Sequence, residues 1–199
     1  MTSKANKATL AVRAAIESDT QHGAVVPPLY LSSNYTFAGY GEPRQYDYTR
    51  SGNPTRDALG DALTELEGGA GAVITASGMG ALNVMVQLLS PGDLLVVPHD
   101  CYGGTWRLYD VLGRKGHSEL PYDDQNDERA PPAACARKPT RPLPETPSNP
   151  LLRIVDIEKV AGYARECGAL FAVDNTFLSP ALQQPISLGA DIVIHSTTK

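Results

Sequence analysis

The sequence predicts an α/β fold in which a mostly parallel sheet carries helices on both faces, preceded by an extended N-terminal arm. Three observations predict it. Beyond residue 56, short apolar runs of strand length alternate with stretches of helical periodicity. Polar turns follow those runs, where open parallel sheets bind their ligands. Residues 1–55 show little periodicity and contain the pair Pro27-Pro28 and polar runs such as LSSNYTF.

Within the arm the pattern supports at most one short helix, over 8–16. Arms of this kind reach onto partner subunits. Asn53-Pro54-Thr55 then marks a helix start with proline in the first turn, and Leu59, Leu63 and Leu66 fall on one face before Gly68-Gly69 stops it. The alternation that follows predicts a strand over 70–76, a helix over 79–89, a Pro91-Gly92 turn, a strand over 94–97 and a helix over 104–114. Further on come a helix over 156–167 closed by Gly168, a strand over 169–173 and a strand over 191–195. Residues 1–55 are thus assigned to the arm and residues 56–199 to a sheet domain. There is no internal repeat.

One stretch breaks the rhythm. Between His117 and Thr146 the order of elements calls for strand, helix and strand, yet Pro131, Pro132, Pro139, Pro142 and Pro144 remove backbone donors there. It reads either as a long surface excursion or as altered sequence in which TRPLPE replaces an apolar strand.

Composition excludes several classes of function. The chain has 199 residues, 42% hydrophobic and 20% charged, enough apolar material for a core, and a net charge of -5 leaves no basic stripe for nucleic acid. The N-terminus MTSKANKATLAV has two lysines with no apolar segment behind them, and no later run is long enough to cross a bilayer. The expectation is a cytoplasmic protein without membrane or nucleic-acid partners. Cys101, Cys135 and Cys167 lack close pairing, so the spacing suggests neither a disulfide framework nor a metal site. No glycine-rich loop ends in Gly-Lys-Ser/Thr, which argues against a P-loop nucleotide enzyme.

The residues able to do chemistry stand just after the strands, in five loops that a parallel sheet would bring to one crevice. Ser77-Gly78-Met79 lies between strand and helix, where backbone N–H groups and the positive helix end can face a phosphate; the plain alternative is an ordinary turn. Tyr102, beside Gly103-Gly104, can lie flat on an aromatic ring or serve as an ordinary packed tyrosine. Ser148-Asn149-Pro150 forms the third loop. Asp174 ends the apolar run FAVD, where a carboxylate needs either a cation such as a protonated pyridine nitrogen or a structural capping role. Lys199 follows IVIHSTT: burial there would lower its pKa and suit it to Schiff-base chemistry, whereas a terminal lysine is otherwise simply solvated. Ser196 and Thr198 add hydroxyls. Tyr48 and Arg50 lie outside the strand series, and a guanidinium delivered by an arm can bind phosphate in a neighbour's site.

The motifs YDYTRSGNPTR, SGM, PHDCYGGT, ETPSNP, VDNTF and HSTTK, in this order, resemble the Cys/Met-metabolism family of pyridoxal-phosphate enzymes over nearly the whole chain. VVPPLYLSSNYTF, LEGGAGAV and DNTFLSPALQQP are most similar to its bacterial cystathionine gamma-synthase branch. The resemblance implies an aspartate-aminotransferase-like large domain (PLP fold type I) and the cofactor pyridoxal 5'-phosphate (PLP). It implies that Lys199 joins the cofactor as a Schiff base, that Asp174 pairs with the pyridine nitrogen and that Tyr102 stacks on the ring. Gly78, Met79, Ser196 and Thr198 would hold the phosphate, with Tyr48 and Arg50 reaching it from an adjacent subunit of a homo-oligomer, a dimer or tetramer. Asn149 would sit near the ring oxygen, and Arg107 would help bind an acidic amino-acid substrate.

The implied reaction is gamma-replacement in methionine biosynthesis, forming cystathionine from O-succinylhomoserine and cysteine. Cystathionine lyase, methionine gamma-lyase and homoserine-ester sulfhydrylase share the cofactor motifs. The family pattern continues past Lys199 into a smaller C-terminal domain, so the chain reads as an N-terminal fragment, either part of an active enzyme or a non-catalytic remnant.

Overall fold

Asn6 opens the first helix, α1 (Lys7–Arg13), its Oδ1 accepting the Thr9 N–H at 2.9 Å. The helix is shorter than predicted because Ala15 and Glu17 turn into positive φ, at 57° and 71°, which α-helix cannot continue through. The computed structural model describes residues 6–119, 122–123 and 140–199 of the chain. Contacts divide the chain into two units, 1–74 and 75–199.

In the first unit, α2 (Pro54–Glu67) forms where the sequence places it. Asn53 Oδ1 accepts from the N–H groups of Thr55 and Arg56, and Pro54 occupies the first turn, where its missing donor costs nothing. Gly68 ends the helix at φ 71°, with its N–H on Glu65 O and that of Gly69 on Thr64 O. Between the helices the chain forms turns and isolated bridges, Asn34 with Tyr48 and Gly39 with Glu42. Asn53 also fastens this segment, its Nδ2 donating to Tyr30 O at 3.0 Å and Thr49 Oγ1 at 2.6 Å. Val25, Val26, Leu29 and Leu31 remain exposed. The strand predicted over 70–76 is not formed: no ladder partner meets it among the described residues, and Val73 is exposed. An apolar run becomes a strand only when another strand satisfies its backbone.

The second unit is built on parallel pairs. β1 (Leu94–Pro98), buried throughout, pairs with β2 (Tyr122–Asp123) on one side and β3 (Thr140–Pro142) on the other. β4 (Ala172–Asp174) pairs with β5 (Ile192–Ile194), and a parallel bridge between Glu145 and Asp174 joins the two ladders. The spatial order is therefore β2-β1-β3-β4-β5, all parallel.

The predicted interruption at TRPLPE is corrected here: Thr140–Pro142 is a strand, and Leu143 continues it, donating its N–H to Val96 O at 2.9 Å. Alternate N–H groups of a strand point to opposite neighbours. With Leu143 facing β1, Pro142 and Pro144 fall at positions whose donors would face away from β1, so the ladder keeps its bonds. The rest of the proline-rich stretch lies outside the described residues.

Helices cover both faces. α3 (Gly78–Val86) and α4 (Gly103–Arg114) bring Leu82, Met85 and Tyr109 onto Leu95, Val97 and Ala172. On the opposite face α5 (Ile157–Cys167) packs Ile157, Ala161 and Ala164 with Phe171 and Val173. Ala172 belongs to one core and its two neighbours to the other, as the two-residue period of a strand requires. α5 starts at the Asp156 cap and ends at Gly168, φ 64°, as predicted. A short helix α6 (Ser179–Leu182) and a 3-10 turn, Pro185–Leu188, connect β4 to β5. Among the described residues no helix is long and apolar enough to cross a membrane.

Cys101 is buried and free, but Cys167 is disulfide-bonded, which corrects the expectation drawn from cysteine spacing. Spacing along the chain cannot reveal cysteines that folding brings together.

Candidate active site

Four of the five loops meet at the carboxyl ends of β1, β4 and β5 and the N-termini of α3 and α4. Ser77 caps α3, its Oγ accepting the Gly80 N–H at 3.1 Å. The N–H groups of Gly78 and Met79, in the first turn, have no intrahelical partner and lie at the positive end of the helix. A Cβ built on Gly78 would stand 2.7 Å from Ser196 Cβ and 3.0 Å from its Oγ. Glycine is needed here because the HSTTK loop lies directly against it. Ser196 Oγ is 2.8 Å from Thr198 Oγ1, so two hydroxyls and two backbone donors share one corner.

The Tyr102 loop adjoins this corner. A Cβ on Gly104 would lie 2.5 Å from Tyr102 Cε1 and 2.9 Å from Met79 Sδ, so the tyrosine ring and the Met79 sulfur close around the glycine. Tyr102 is 42% exposed, leaving ring surface available for stacking. Arg107, one turn along α4, is exposed, with its Nη1 3.5 Å from where a Gly103 Cβ would be.

Asp174 ends β4 half-buried, its Oδ1 accepting the Thr176 N–H at 3.0 Å. Thr176 Oγ1 in turn accepts the Ser196 N–H at 3.0 Å, and the Asn175 N–H donates to Ile194 O at 2.9 Å. The Asp174 loop and the Ser196 loop thus hold each other. Beneath them the Asn175 amide, fully buried, exchanges hydrogen bonds with Gln183 at 2.9 Å. The Asn149 loop is tied to the Tyr102 side by Ser148 Oγ donating to Asp100 Oδ2 at 2.7 Å.

Glu145 was not among the predicted site residues. Only 7% exposed, it is bridged to Asp174 and accepts the Tyr102 N–H on Oε2 at 2.6 Å. Burial raises its pKa from 4.5 to about 7, with Asp174 and Asp100 adding repulsion against the Tyr102 hydrogen bond. Desolvation likewise pushes Asp174 upward, against its bonds to Thr176 and the attraction of His195. The sequence signal was a lone glutamate directly after a strand, masked by the prolines around it.

The group implied by these motifs fits the residues present. A phosphate matches the corner of Gly78, Met79, Ser196 and Thr198. A protonated pyridine nitrogen matches Asp174, which is bridged to the buried Glu145 and is shifted upward, the direction that an added cation would reverse. Lys199, the last residue of the chain, is exposed, and Tyr48 and Arg50 belong to the first unit, within the segment read as an arm. There the Arg50 guanidinium lies 5.0 Å from the centre of the Tyr48 ring.

The family model for Cys/Met metabolism PLP-dependent enzymes matches residues 8–199. The chain belongs to this family. Its cofactor is therefore PLP. Cystathionine gamma-synthase of Escherichia coli is 58% identical over 97% of the chain and 50% of that protein. Cystathionine beta-lyase of Lactococcus lactis subsp. cremoris is 43% identical over 96% and 50%. Among solved structures, cystathionine gamma synthase from Xanthomonas oryzae pv. oryzae, in complex with aminoacrylate and cysteine, matches with a TM-score of 0.96 and 60% identity, covering 99% of this chain and 51% of that one. The chain spans about half the length of the curated relatives it matches.

Proposed function

We propose that the protein to which this chain belongs acts as a cystathionine gamma-synthase, replacing the succinyl group of O-succinylhomoserine with the sulfur of cysteine. The Cγ–O bond breaks, succinate leaves, and a Cγ–S bond forms as the cysteine thiol gives up its proton. The observation that carries the choice of branch is the 58% identity to a gamma-synthase against 43% to a beta-lyase over the same length of chain.

PLP, when bound, supplies an electron sink for the substrate carbon next to the amine. The roles of the chain's own residues follow from their chemistry. Gly78, Met79, Ser196 and Thr198 bind the phosphate, and Tyr102 covers the ring. Asp174 keeps the pyridine nitrogen protonated by offering it a half-buried carboxylate. The Lys199 amine attaches the cofactor and afterwards moves protons at Cα and Cβ of the substrate. Asn149 approaches the ring oxygen, and Arg107 meets the acidic end of the substrate. Tyr48 and Arg50 act on a neighbouring subunit of a homo-oligomer, an arrangement consistent with the exposed apolar side chains of residues 25–31.

A product assay on the complete PLP-loaded protein tests the reading. Succinate release that depends on added cysteine is the expected result. Pyruvate or 2-oxobutyrate formed from cystathionine, with no cysteine-dependent succinate, would replace the synthase by a lyase.

A further inference from the structure

We propose that Glu145 is a positioning residue of the PLP site: its carboxylate anchors the first residue of the Tyr102 loop and thereby sets the tyrosine ring against the cofactor. The inference rests on the reading of Tyr102 as the residue that stacks on the ring.

The geometry has three parts. Tyr102 occupies the N-cap of α4 but makes no side-chain cap bond of its own, so its end of the helix must find acceptors elsewhere. Glu145 Oε2 provides one, accepting the Tyr102 N–H at 2.6 Å from a position 43 residues away in sequence. Glu145 is itself built into the sheet, bridged to Asp174, whose N–H donates to Pro144 O at 2.9 Å. One short link therefore connects the backbone of the stacking residue to the strand beside the pyridine-binding carboxylate.

The alternatives are weaker. A buried carboxylate near Asp174 and Asp100 is electrostatically unfavourable and would not be selected for stability. Among the described residues the groups acting on it are two carboxylates and a backbone N–H, so pairing with a cation does not account for it there. The Tyr102 ring is 42% exposed and lies against Gly104, so much of its outer side is open. Its location then depends on where its backbone is fastened.

The test uses the complete protein with PLP and reads cofactor dissociation together with the visible circular dichroism band of the bound cofactor. Glu145→Ala should weaken PLP binding about tenfold or more, the scale of losing a hydrogen bond to a charged group, and shrink the dichroism band. Glu145→Gln keeps an acceptor oxygen and should restore both to within about threefold of the parent. In a Tyr102→Ala background, Glu145→Ala should add little, because the ring it positions is gone. If Glu145→Ala does not fold, Glu145→Asp, one methylene too short to reach the N–H, carries the same expectation.

An undiminished band in Glu145→Ala, an equal loss in both backgrounds, or failure of glutamine to rescue overturns the proposal. Absence of any visible PLP band in the parent protein would instead strike at the reading of the site itself.

Discussion

Gly78 illustrates how a single residue serves two elements. It opens α3 and lies against Ser196, where a methyl group would come within 2.7 Å of a Cβ fixed to the backbone of the neighbouring loop. Alanine favours helix by about 1 kcal/mol in an interior, but here the HSTTK loop would have to move, at an overpacking cost of about 1–3 kcal/mol. We expect Gly78→Ala to be destabilised in thermal unfolding and to bind PLP more weakly in a fluorescence titration. Glu145 gives a pH signature of its own. Its folded pKa, about 7, lies above its ordinary 4.5, so between these values the folded protein holds more protons than the unfolded one. Its contribution is therefore fully present below about pH 4.5 and is lost as pH rises through about 7. Denaturant midpoints of the cofactor-free protein should fall across that window in the parent and fall less in Glu145→Gln.

At the scale of elements, helices were readable because their ends are written locally. Asn53, Pro54 and Gly68 delimit α2, and Asp156 and Gly168 delimit α5, each through hydrogen bonds within a few residues. Asn53 does more than cap: its amide also holds Tyr30 and Thr49. Asn53→Ala should cost about 2 kcal/mol or more, above an ordinary cap, measured by chemical denaturation. Strands were less readable. The runs at 70–76 and 94–97 both have the length and flanking turns of a strand, yet among the described residues only the latter meets ladder partners. Conversely Thr140–Pro142 pairs with β1 although its prolines argued against a strand, because their missing donors fall on the side facing away from β1.

For the whole molecule, the proposed sharing of sites between subunits makes a direct prediction. Arg50→Ala and Lys199→Ala variants of the complete protein, each inactive alone, should regain measurable succinate-forming activity when unfolded together and reassembled. Mixed oligomers would combine an intact arm from one chain with an intact lysine from the other. No recovery, with mixed oligomers verified by mass, would argue that each subunit completes its own site.

The sequence by itself determined the helices α1 to α5, the order of the motifs, the family they belong to and the identity of its cofactor. These are properties of residue type and near neighbours, carried by caps, glycines and short loops. Only the tertiary structure decided which apolar runs became strands, that Gly78 abuts Ser196, that Cys167 is disulfide-bonded, and that Glu145 spans from the Asp174 strand to Tyr102. Each depends on groups distant along the chain satisfying one another's backbone bonds, space or charge, and that information resides in the packing rather than in any local pattern.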